Sequence, residues 1–131
     1  MGLAERRAVK AFQDNHYPTL KLEVNAAVGF DLLLDIDWPA LGDEGYAHMY
    51  DEAFKKVYFT PLIDALREIA FDDLGREALQ AGLKRVEIRN TGLQDISFSG
   101  GVLRFDHHPI SNLDYGQERQ QQIRQALEEE L

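Results

Sequence analysis

Three sets of side chains in this sequence have the chemistry to act on a ligand, and each also has a plainer explanation. Asp31, Asp35 and Asp37 recur at even spacing in FDLLLDIDW, so in an extended strand all three project to one side. Asp35 and Asp37 are close enough for one hard cation to bridge, and oxygen-only ligation suits magnesium, manganese or calcium. Leu33 interrupts the row, however, and no glycine-rich calcium loop accompanies it. The reading adopted is a solvated acidic strand face of the kind that discourages edge pairing.

Asp106-His107-His108 places imidazoles beside a carboxylate, the ingredients of transition-metal and acid–base sites. In a strand, His107 and His108 point to opposite faces, and they converge only if the chain turns, which Pro109 permits. His16 and His48 have no histidine four residues on and no HExxH context. A surface position is expected for all four. Ser97, Ser99 and Ser111 stand in no GxSxG-like turn, and the glycine-containing segments lack phosphate-loop spacing. The expectation is no catalytic residue, no metal and no cofactor. Its rival is a small metal-dependent enzyme using Asp35 and Asp37 with His107 and His108.

The third set is aromatic. Tyr46, Tyr50, Phe54 and Tyr58 recur every four residues, a row that drifts about 40° per step on a straight helix and so winds partly around it. One end can then lie outside the core, where a tyrosine offers an apolar ring and a polar tip to a partner. Core packing with the hydroxyls reaching water is the plainer account. Exposed members of Tyr46, Tyr50 and Tyr58, rimmed by Asp51 and Glu52, are the expected protein contact.

Charge says what kind of partner fits. Fourteen Lys and Arg stand against 23 Asp and Glu, for a formal charge of −9. That field opposes nucleic acid and anionic lipid and speeds encounter with a basic protein. There is no cysteine, which removes disulfide frameworks and thiol chemistry. The N-terminal segment is charged at Glu5, Arg6, Arg7 and Lys10 where a signal peptide needs an apolar core. No apolar run approaches the roughly 18 residues of a membrane span. The expectation is a cytoplasmic, non-catalytic, acidic protein-binding module, either an inhibitor of the toxin-neutralising immunity type or an adaptor, with no membrane or nucleic-acid partner.

The elements that carry these residues follow from periodicity. Leu3 to Asn15 reads as a helix ended near Pro18. Residues 19–29 fit either a half-buried strand or a helix capped by Gly29, with helix slightly preferred. Asp31–Asp37 alternates as a strand, and Asp43 is placed to cap the helix that follows. Between Gly45 and Leu83 the apolar residues recur every three or four positions. Thr60-Pro61 marks a helix restart or a kink, and Asp72-Asp73 a helix start. Strands are expected at Lys84–Asn90, Gln94–Ser99 and Val102–Asp106. Gly100-Gly101 makes a tight hairpin that sets Phe98 opposite Leu103 and Ile96 opposite Phe105. Asp114 and Gln117 resemble a capping box before a terminal helix carrying Ile123, Leu127 and Leu131. The fold expected is α+β, one domain over residues 1–131, with a small, mainly antiparallel sheet of about four strands and helices packed on one face.

Overall fold

A computed structural model describes residues 2–131. Helix α1 (Leu3–Asn15) and helix α2 (Tyr17–Val28) meet at His16. Pro18 falls in the first turn of α2, where a missing N–H costs nothing, and Gly29 closes the helix at φ 84°. Residues 19–29 are therefore helical up to that cap, because Leu20, Val24 and Val28 share one buried stripe.

Strand β1 (Leu33–Ile36) is shorter than the alternating pattern suggested. After the 3-10 turn Trp38–Leu41 and a second one at Ala47–Met49, the chain enters α3 (Tyr50–Phe54). It passes through a π-helical turn, Lys55–Phe59, straight into α4 (Thr60–Ile69). Thr60-Pro61 is thus not a restart. The wide turn keeps the helix going past a residue that cannot donate to it. Asp72 caps α5 (Asp73–Gly82), its carboxylate accepting the Gly75 N–H at 2.8 Å. The expected cap by Asp114 does not form. Tyr115 is the N-cap of α6 (Gly116–Glu130), with no side-chain bond to the helix end.

Strands β2 (Arg85–Arg89), β3 (Asp95–Ser99) and β4 (Val102–Asp106) complete one sheet in the order β1-β2-β4-β3. The expectation of a mainly antiparallel sheet is corrected here. β1 pairs with β2 and β2 with β4 in parallel, and only β3 and β4 run antiparallel. The helices between β1 and β2 form a crossover long enough to bring β2 back in the same direction, which a hairpin cannot do. β4 then inserts between β2 and β3, so the turn after Asn90 carries the chain past a neighbour's place. The hairpin register holds as expected, with Phe98 opposite Leu103 and Ile96 opposite Phe105. Gly100 and Gly101 take φ 59° and 82°, the left-handed values that only glycine adopts without strain.

Alternation sorts the sheet into two surfaces. Leu34, Val86, Ile88, Leu103 and Phe105 join the buried side chains of the helices in one core cluster. Asp35, Glu87 and Arg104 stand in register across the other face, with Arg89 held 3.0 Å from Asp35. That face is open to solvent and laced with ion pairs.

Candidate functional site

Each expected site residue now has a place. Tyr50 and Tyr58 have no exposed surface, whereas Tyr46 is 41% exposed. Tyr50 stacks on Phe54 with ring centres 4.9 Å apart, and Tyr58 meets Phe105 edge-on at 5.4 Å. Their hydroxyls are not left unpaired. Tyr50 donates to the Asp43 carbonyl at 2.5 Å and Tyr58 to the carbonyl of His107. Tyr50 and Tyr58 therefore leave the contact set, since a partner cannot reach them. Tyr46 precedes the helix, so the four-residue spacing does not place it on the core face. At the other end the wide π turn advances less per residue than an α turn, and so keeps Tyr58 on the core side.

Asp51 and Glu52 are exposed in the first turn of α3, where carboxylates favour the helix dipole. Asp51 lies 3.3 Å from His16 and Glu52 2.7 Å from Lys56. The Lys56 hydrogen bond holds the Glu52 carboxyl below its usual range. The segment from Asp43 to Glu52 is anchored along its length. His108 lies 3.5 Å from the Asp43 carboxylate, and the Gly45 N–H donates to Glu5 at 3.3 Å. The expected cap by Asp43 is not made; its carbonyl instead receives Tyr50. The outcome is an anchored segment that carries Asp43, Glu44, Asp51 and Glu52 together with the exposed Tyr46.

The acidic strand is arranged for cations of the protein's own. Lys21 lies 2.9 Å from Asp31, and Asn25 donates to the same carboxylate at 3.1 Å. The Lys21 hydrogen bond, then Asn25, lowers the Asp31 carboxyl below the usual range. Asp35 pairs with Arg89, and Asp37 is exposed with its N–H on the Ile88 carbonyl. Among the described residues, no three His, Asp or Glu side chains gather as a metal site. Asp35 and Asp37 are not brought together with His107 and His108.

His107 is not at the surface, as expected from sequence, but 8% exposed. It sits edge-on to Phe105, and its Nδ1 lies 2.7 Å from the His108 carbonyl. Burial pushes its pKa down. Two further buried ionic groups had no signal in the periodicity. Asp106 is fully buried at the end of β4 and accepts from the Thr91 N–H at 2.9 Å and from the Thr91 hydroxyl. Arg119, on α6, is 3% exposed and donates to three backbone carbonyls. Both tie backbone segments to the core.

No family model, no curated protein and no solved structure matches this chain. Among the described residues, no helix is long and apolar enough to cross a membrane.

Proposed function

We propose that this chain is a non-catalytic protein-binding module whose Tyr46 surface engages a basic patch on another protein. The observation that carries the reading is the exposed Tyr46 on an anchored segment that also carries Asp51 and Glu52. Tyrosine supplies contact area at a low cost in conformational freedom, and central aromatics supply most of the binding energy at interfaces. Rim carboxylates steer a basic partner toward it. With −9 net charge on the whole chain, the far field acts in the same sense. An inhibitor of a basic nuclease is one form such a module takes.

The test uses the full chain as bait in its native host, beside Tyr46→Ala and a double Asp51→Lys, Glu52→Lys variant. The expected partner is a basic protein that the wild type retains and both variants lose. Its association rate should fall as salt rises from about 50 to 500 mM, because the screening length shrinks severalfold over that range. Equal retention by the variants, or a rate indifferent to salt, overturns the reading.

A further inference from the structure

α1 carries a basic ridge on a molecule that is otherwise acidic. Arg6 and Lys10 lie one helical turn apart with Arg7 beside them, all three exposed. Lys10 pairs with Asp14 at 3.1 Å, whereas Arg6 and Arg7 make no ion pair with any described residue. A hollow lies on each side of the ridge. One, of about 360 Å³, is lined by Val9, Gln13 and the Trp38–Pro39 turn; the other, of about 390 Å³, by Leu3 and Ala11. Arg6 and Lys10 wall both. The apolar surface inside them is firm. Tyr17 meets the Trp38 ring edge-on at 5.1 Å and Phe12 supports it at 6.0 Å. Leu3 remains 53% exposed.

We propose that this face of α1 is a second docking surface, for an acidic peptide segment of another protein with bulky apolar side chains to fill the two hollows. Charge complementarity argues for this occupant. Arg6 stands between the two depressions and Arg7 at the rim of the second, which Asp14 lines while paired to Lys10; a planar guanidinium pairs a carboxylate through two parallel hydrogen bonds. Alternation of acid and apolar side chains in the partner matches alternation of ridge and hollow here. A membrane fits less well. The apolar surface is divided between two depressions, whereas a bilayer favours one continuous apolar face. A second copy meeting this face with its own would set Arg6 and Arg7 against the same arginines, like charge on like. The surface differs from Tyr46 in sign and in the elements that build it, so it stands or falls separately.

Trp38 is the sole tryptophan, so its emission reports on the hollow it lines without a label. The probe is a synthetic amphipathic peptide of glutamate and leucine at helical spacing, with its lysine–leucine counterpart as control. The glutamate peptide should shift Trp38 emission saturably and the lysine peptide should not. An Arg6→Glu, Arg7→Glu variant should weaken that response by about fivefold or more, since reversing two rim charges replaces attraction by repulsion. Circular dichroism confirms that the variant keeps its helices, and Leu3→Asn in the intact ridge, which changes no charge, should weaken the response through the hollow that Leu3 lines. No saturable shift, an equal response to the lysine peptide, or an unchanged response in the arginine variant overturns the proposal. So does a shift produced by phosphatidylserine vesicles and not by the peptide, or one that follows protein concentration alone.

Discussion

Arg119 donates its Nε–H to the carbonyl of Val57 at 3.1 Å, across 62 positions of chain. The contact answers a deficit created by Pro61. In an α turn Val57 would accept from residue 61, which has no N–H. Lys56 fares no better, because the Thr60 N–H is taken by Lys55 in the π turn and the next residue is again Pro61. Arg119 Nη2 donates to Lys56 at 3.2 Å, and Nη1 to Asn112 at 2.7 Å. One guanidinium therefore satisfies the carbonyls that the proline and the wide turn leave over, and ties α6 to the central helix.

Replacing Arg119 should accordingly be costly, and Pro61 should set how costly. Arg119→Met leaves buried carbonyls unpaired and should lower unfolding free energy by about 3 kcal/mol. In a Pro61→Ala background, which restores a backbone N–H at that place, the same replacement should cost measurably less. Urea denaturation of the four proteins gives the coupling. Additive effects would separate Arg119 from the proline.

Alkaline pH should weaken the fold through its buried tyrosines. Burial, followed by the carboxylates of Glu5, Asp43 and Glu44, pushes the Tyr50 pKa up to about 12. Tyr58 is raised as well, by burial first and then by Asp106. An unfolded tyrosine ionises near about 10, so above that pH the unfolded chain sheds protons the folded chain keeps. Stability is complete below about pH 10 and falls as pH rises toward 12. Urea midpoints across this window should decline, and Tyr50→Phe should flatten the decline. A slope unchanged in that variant would remove Tyr50 as its source.

His107 acts on the acid side. Burial holds its pKa below the ordinary histidine value; the bond to the His108 carbonyl works against this shift. The unfolded histidine takes a proton near about pH 6.5 while the folded one stays neutral. Stability is therefore full above that pH and declines as pH falls through the folded pKa. His107→Asn should remove the part of the decline that begins near pH 6, read by thermal melts. Persistence of the same onset would place it elsewhere.

The corner between α4 and α5 leaves no room at Gly75. A Cβ there would lie 1.7 Å from the Ile69 carbonyl oxygen, so Gly75→Ala must move backbone. The expected loss is about 2 kcal/mol, in the range of overpacked sites. Gly29→Ala meets no atom within 4 Å and is strained only by its φ of 84°, so it should cost less, about 1 kcal/mol. Denaturant midpoints that rank the two in the opposite order would contradict the steric account.

Replacing Asp31, Asp35 and Asp37 together by Asn tests the acidic strand. Lys21 and Arg89 already face two of the three carboxylates, so the change should lower stability only slightly. Magnesium or manganese should leave the melting temperature of either protein unchanged. A large metal-dependent shift abolished by the replacement would reinstate a cation site.

What the sequence determined by itself is local. Gly29 as a left-handed cap, Asp72 as an N-cap and the Gly100-Gly101 register each depend on a few adjacent residues and the short-range geometry they allow. Alternation likewise fixed which side of β2 and β4 is apolar. Tertiary structure decided the rest. A period of two names a face but not a neighbour or a direction, so β4 could insert between β2 and β3 and make the sheet mixed. Tyr46, Tyr50 and Tyr58 share one spacing, yet only what packs over each separates a possible contact from core. Arg119 reads as an ordinary surface arginine until Pro61 is seen opposite it, because an unpaired carbonyl makes its demand through space and not along the chain.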